Sequence, residues 1–297
     1  MFNLKEYLNQ KRKNIDAALN SIFENKLPKA RRVINAMHYS LMAGGKRLRP
    51  ILCIASAEAL KRKDEDVMNA ACALELIHTY SLIHDDLPAF DDDELRRGMP
   101  TCHIKFDEAT AILAGDGLLT LAFEVISPKH LSNPQNALLW IEVINVIANA
   151  AGCIGMIEGQ MRDSFYEGTK IDLNSLKELH FLKTGALIQA SVCSGAILAE
   201  ASLDEMNQLK IYAQNIGLAF QVQDDILNVE GDPKIMGKSV GTDNLRDKNT
   251  YPSIMGISES KLFAKELINE ALKAIEIFDD SAEPLRRIAS YIIERNV

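Results

Sequence analysis

Residues 70–98 read AACALELIHTYSLIHDDLPAFDDDELRRG. In the first half Ala70, Ala73, Leu74, Ile77 and Ser81 keep the three-to-four residue spacing of one helix face. The run ends on two adjacent aspartates, Asp85 and Asp86. Asp91, Asp92, Asp93 and Glu94 follow, with Arg96 and Arg97 close behind. A helix C-terminus repels anions through its macrodipole, so two carboxylates there are unfavourable without a cation. A hard, oxygen-seeking ion meets that need, since Mg2+ takes one or two carboxylates together with substrate phosphate oxygens. On a straight helix Asp91 would sit about 120° around the axis from Asp85, with Asp92 beneath it. Pro88 breaks the straight helix, so spacing alone leaves Asp91 and Asp92 as alternatives.

The same period runs outward through the chain, for example in Leu203, Met206, Leu209, Ile211, Ala213 and Ile216. No alternating β-branched run argues for a sheet, and the predicted fold is all-α, one helical bundle over residues 1–297. Helices are predicted over 4–25, 28–43, 51–62, 65–87, 106–127, 134–160, 172–200, 204–230, 258–278 and 281–295. Asn174 and Asp204 stand at expected N-caps, and Pro134 suits a first turn. The most apolar window, Leu138 to Ile157, is interrupted by Glu142, Asn145 and Asn149 and reads as a buried helix rather than a bilayer span.

Of 297 residues, 47% are apolar and 25% charged, the profile of a soluble globular protein. The charged N-terminal stretch shows no leader or membrane anchor, which predicts a cytoplasmic location. Five scattered cysteines without a C-x-x-C pair fit neither a disulfide framework nor a zinc site. The net charge of −8 excludes nucleic acid as a partner. It suits an anionic substrate only if the carboxylates are clustered to hold metal ions.

A second such cluster exists: in FQVQDDILNVEGD, residues 220–232, Asp224 and Asp225 again close an apolar helical run. Two aspartate pairs facing one another across a cavity would bracket a polyphosphate. GGKRLRP, residues 44–50, supplies glycines for close approach and guanidinium forks for phosphate oxygens. KTG at 183–185 puts Lys183 inside an apolar helix with Gly185 two residues on, which predicts a kink and a charge turned into a cavity. GKSVGTD near residue 240 adds a glycine-rich basic loop containing Lys238.

The joint order and spacing of these five motifs resembles the trans-isoprenyl diphosphate synthases, the bacterial farnesyl branch in particular, from about residue 25 onward. The resemblance implies a helical isoprenoid-synthase fold around a deep cavity, a homodimer, and three Mg2+ ions. It implies condensation of isopentenyl diphosphate with an allylic diphosphate, dimethylallyl or geranyl, giving farnesyl diphosphate and pyrophosphate. Asp85 and Asp91 would hold two Mg2+ and Asp224 the third, with Asp86 and Asp225 in support. Arg96, Lys183 and Lys238 would hold the allylic diphosphate, and Lys46, Arg49, His78 and Arg97 the isopentenyl diphosphate. Thr184 and Gln221 would direct oxygen dipoles toward the allylic cation.

The family's pattern departs at Asn228, where an aspartate is usual, and at the end YIIERNV, whose lack of a final basic residue puts a closing role of the C-terminus in doubt. The same chemistry with another cavity depth would give geranyl or geranylgeranyl diphosphate. A silent partner subunit is disfavoured by the intact aspartates, and a terpene cyclase by a second diphosphate site it would not need. One isoprene unit spans about one helix turn, roughly 5 Å, so residues upstream of Asp85 would act as a ruler. The bulky Tyr80, five positions before it, resembles the aromatic of family members that stop at fifteen carbons, which implies a chain-length role for Tyr80 and Ser81.

Tyr80→Ala is expected to lengthen the product, measured as chain length by mass spectrometry. Asn228→Asp is expected to lower the Mg2+ concentration for half-maximal rate, read from a Mg2+ titration; unchanged dependence would refute it.

Overall fold

A computed structural model describes residues 2–27, 31–127, 134–230 and 248–295. The chain is helical almost throughout: α1 (Leu4–Lys26), α2 (Arg32–Leu41), α3 (Leu48–Ala59), α4 (Asp64–Asp85), α5 (Cys102–Lys105), α6 (Glu108–Ile126), α7 (Pro134–Ala151), α8 (Met156–Phe165) and α9 (Leu173–His180). After a π turn (Phe181–Gly185) come α10 (Ala186–Leu198), α11 (Leu203–Glu230), α12 (Tyr251–Met255), α13 (Ile257–Ala274) and α14 (Glu283–Glu294). The all-α expectation holds, with one exception the period could not show. Leu95–Arg96 pairs antiparallel with Met99–Pro100, and the two turn residues Arg97 and Gly98 both have positive φ, as a type I′ hairpin requires.

The inner layer is α3, α4, α10 and α11. Every residue of helix α10 from Ala186 to Leu198 except Gln189 is buried, and the helix packs on α3, α7 and α11, while α4 packs on α3 and α6. Helices apolar nearly all round belong in such a position. Asp64, Glu65 and Asp66 in the first turn of α4 complement its macrodipole. The outer helix α1 is tied down by Lys11, which bridges Glu58 and Asp64, and by Asp16 on Arg47.

Several boundaries differ from expectation. Caps fall two residues earlier than Asn174 and Asp204: the Asp172 side chain accepts from Ser175 N–H, and Ser202 and Glu205 form a reciprocal cap on α11. The run 134–160 is two helices, broken between Gly152 and Gly155. Its reading as a buried helix is also corrected, because Leu138 is 67% exposed and Ile154 69%. Apolar periodicity states that a face wants cover, not that this chain supplies it. Among the described residues three helical stretches, Glu108–Ile126, Asn136–Phe165 and Leu173–Leu198, are long and apolar enough to cross a membrane by length and composition. The last is 72% buried within the bundle and the second only 17%. All five cysteines are free, four buried and Cys153 exposed.

Candidate active site

The site begins where α4 stops. Beyond Asp85 the chain turns back, and the Asp91 N–H donates to the Asp85 carbonyl at 2.9 Å while the Asp92 N–H donates to Leu87. The turn returns Asp91 beside Asp85 and leaves Asp92 exposed at a φ of 50°. Of the two residues that spacing left open, the turn brings Asp91 rather than Asp92 to the Asp85 side. Burial, with Asp91 and Asp86 nearby, pushes the Asp85 carboxyl up to about 6 although Lys183 and Arg96 draw it down. Asp86 faces elsewhere: it is buried and accepts a forked pair of bonds from Arg96, Nε at 2.8 Å and Nη2 at 2.5 Å.

The hairpin that carries Arg96 also aims Arg97, whose guanidinium donates to the Gly44 carbonyl. Gly45, at a φ of 129°, lies flat against that guanidinium, and a methyl group there would overlap it. GGKRLRP thus backs the first acidic motif directly. Within it Arg47 turns inward at a φ of 52°, bonding Glu75 at 2.7 Å, Asp16 at 2.8 Å and the Leu41 carbonyl. That anchor orients its neighbours: Lys46 is exposed, and Arg49 enters the interior with its Nε unpartnered. Burial drives Arg49 down to about 10, with Glu75 and Asp224 opposing and Arg97 adding to the fall. His78 is driven well below the usual imidazole range by burial and then by Arg49, Arg97, Arg96 and Arg47. Of these guanidiniums Arg47 is held by Glu75 and Asp16 and Arg96 by Asp86, which leaves Arg49 and Arg97 as the cations beside His78 without a carboxylate bond among the described residues.

Across from α4, the π turn bulges between α9 and α10 and carries Lys183 and the buried Thr184. This is the kink expected at KTG. Lys183 Nζ reaches Asp163 of α8 at 2.6 Å, and Lys248 Nζ lies 3.4 Å from both Asp163 and Asp91. On α11, Gln221 is half-buried one turn before the second aspartate pair. The pair divides. Asp225 is buried and accepts from the Tyr251 N–H at 2.9 Å, at the start of α12. Asp224 is 37% exposed and bonds Arg295 at 2.6 Å. Arg295 in turn lies 3.9 Å over the Phe220 ring and donates to its carbonyl. The chain up to Arg295 therefore packs against the second aspartate pair. A cavity of about 490 Å3 between α1 and α14 borders this corner at Lys46, Phe220 and Arg295.

Tyr80 is buried with its ring edge-on to His84, centroids 5.7 Å apart, and burial pushes its phenol up to about 12. The Ser81 hydroxyl donates back to the His78 carbonyl. Lys238 lies outside the described residues. Sequence reasoning missed Asp163, the anchoring role of Arg47, and Arg295. It gave Lys248 no place in the site.

These geometries stand beside clear kinship. The polyprenyl synthetase profile matches residues 30–284. The chain belongs to the polyprenyl synthetase family. It is 47% identical, over 99% of its length and 84% of the relative's, to a dimethylallyltranstransferase of Fischerella ambigua. It is 44% identical to a farnesyl diphosphate synthase of Haemophilus influenzae over 99% of both chains. A crystal structure titled as a farnesyl-diphosphate synthase from Marinomonas superposes with a TM-score of 0.84 at 41% identity, covering 99% of this chain and 100% of the other.

Family membership raises the question of Mg2+. Among the described residues no three His, Cys, Asp or Glu side chains form a metal site by themselves. The donor set still fits Mg2+, because Asp85 and Asp91 are adjacent carboxylates in a partly dry pocket that holds Asp85 toward its protonated form. A hard cation sharing its remaining positions with a polyphosphate needs no third side chain.

The shift carries a stability consequence. With burial raising the Asp85 carboxyl to about 6, the native state binds the proton more tightly than the unfolded chain, and stability falls as pH rises from about 4 to 6. At neutral pH the ionised group costs about 1–3 kcal/mol. Asp85→Asn is therefore expected to raise the thermal midpoint of the metal-free protein at pH 7, with the advantage shrinking below about pH 5. Melts across pH with EDTA check this, and an Asn variant that melts lower at pH 7 would contradict it.

Proposed function

We propose that this protein condenses isopentenyl diphosphate with dimethylallyl or geranyl diphosphate to give farnesyl diphosphate and pyrophosphate. The observation that carries the reading is the opposition of two incompatible charge groups. On one side Asp85 is crowded beside Asp91 in a pocket that resists its charge. On the other, Arg49 and His78 are each driven toward neutrality by burial and by neighbouring cations. Diphosphate answers the second group and divalent cations the first, and a metal–diphosphate complex answers both at once.

Asp85, Asp91 and Asp224 would hold the expected three Mg2+ ions, which when bound supply Lewis-acid stabilisation of charge on the departing diphosphate. The chain's own groups perform the rest. Lys183 and Arg96 bind and orient the allylic diphosphate, and Lys46, Arg49 and Arg97 the homoallylic one. Thr184 on the π turn and Gln221 on α11 turn oxygen dipoles toward positive charge developing on the allyl group. The apolar walls exclude water, which would otherwise trap the cation. The alkene of isopentenyl diphosphate attacks, and released pyrophosphate takes the proton that is lost. Buried Tyr80, one turn and a residue behind Asp85, limits chain growth.

A homodimer fits the same reading, supported by the exposed apolar side chains of α6 to α8, including Leu113, Ile141 and Ile157.

The purified protein with isopentenyl diphosphate and either allylic partner is expected to yield a fifteen-carbon product in Mg2+ and none in EDTA. Mass spectrometry of the extracted diphosphates reads the outcome. A twenty-carbon product would remove the role given to Tyr80, and the absence of any condensation would remove the whole reading.

A further inference from the structure

The carboxylate of Asp163 has no place in the reaction as drawn, although it touches two cations of the site. We propose that Asp163 is a positioning residue that aims Lys183 and Lys248 at the allylic diphosphate, an assignment that rests on the reading above.

The geometry is built from α8. Gly159 of that helix lies against the backbone of Lys183, where a methyl group would overlap the Lys183 N and Cα. Helix and π turn therefore meet backbone to backbone. Residues four apart share a helix face, so this contact puts Asp163 one turn on, alongside the Lys183 side chain. Its Oδ2 sits 2.6 Å from Lys183 Nζ and 3.4 Å from Lys248 Nζ. Lys248 continues to Asp91 at 3.4 Å, and Lys183 lies near enough to Asp85 to lower its carboxyl. The series Asp85, Lys183, Asp163, Lys248, Asp91 starts and ends on one aspartate-rich turn.

Asp163 is held ionised there. Burial alone would raise its carboxyl, but Lys183 and Lys248 bring it below the usual range. Burial would likewise lower Lys248, and Asp163 and Asp91 hold it above its ordinary value. His180 packs behind this group, buried and pushed down to about 4, so it stays neutral and does not compete for the carboxylate.

A carboxylate placed against anion-binding lysines reduces their net attraction for a diphosphate. Its presence is useful if orientation outweighs that loss, because a long lysine stem left free loses rotamer entropy on binding. The two effects have opposite signs, which makes the assignment testable. If Asp163 acts only as a charge, Asp163→Asn and Asp163→Ala tighten pyrophosphate. If it positions, both weaken pyrophosphate despite the added positive charge.

The experiment uses the full chain and three variants, Asp163→Asn, Asp163→Ala and Asp163→Glu. Calorimetry gives the Kd for inorganic pyrophosphate with Mg2+, steady-state kinetics gives KM for each substrate, and a melt gives the thermal midpoint. The expected result for Asn and Ala is a pyrophosphate Kd and an allylic KM raised about tenfold, the scale of one charge-assisted contact. The homoallylic KM should be unchanged, and Glu should recover part of the loss. Tighter or unchanged pyrophosphate binding overturns the assignment, as does an equal rise in both KM values with a lowered midpoint and no recovery by Glu. Should the wild-type protein catalyse no condensation, the proposed activity fails, and the pyrophosphate arm still decides the role of Asp163.

Discussion

The backbone hydrogen bond from Asp91 to the carbonyl of Asp85 closes a turn at the end of α4 and sets two carboxylates side by side where the helix dipole already disfavours them. Much of the surrounding architecture manages that concentration of charge. Arg96 takes Asp86 out of the group with a forked bond, and Lys183 and Lys248 approach from the far wall. The site is consequently strained in both signs before any ligand arrives, a common property of places built to bind ions rather than to stabilise a fold.

The scaffold enforces this arrangement with backbone devices more than with side chains. Arg47, Asp92 and Arg97 adopt positive φ, a conformation that disfavours side chains and that clusters at functional sites. The Arg47 triad, with Arg47 and Glu75 buried and Asp16 a third exposed, ties the N-terminal helix to α4, the helix that carries His78, Tyr80 and Asp85. Its guanidinium is a tether, while nearby Lys46 is exposed and the Arg49 Nε is left without a bond of its own among the described residues. Adjacent residues of one basic motif thus hold opposite duties, decided by which way the backbone turns.

How much of this was legible in the sequence follows from what each signal encodes. Helical periodicity gave the bundle and most elements within a few residues, because burial of an apolar stripe is a local pattern. The kink at Lys183 was legible through Gly185. Asp163 was hidden because the run 134–160 was taken as one helix ending before it, and the break at Gly152 and Gly155 lies inside an otherwise continuous apolar pattern. Arg295 was hidden because its partners, Asp224 and Phe220, are some seventy residues away, and no spacing rule spans such a distance. The return of Asp91 beside Asp85 depends on the turn after Pro88, which spacing along a straight helix does not describe.

The π turn at Phe181–Gly185 changes how the neighbouring helices relate. A π turn carries one residue more than the α-helical path it interrupts, and one residue is about 100° of rotation. Helices α9 and α10 are therefore out of phase, and the apolar stripes on either side do not continue one another. Removing a single residue from this segment would restore one smooth helix and swing everything upstream, His180 included, by more than a quarter turn. Length in this stretch is as constrained as residue identity, whereas an insertion in a surface loop would leave the phase of the bundle untouched.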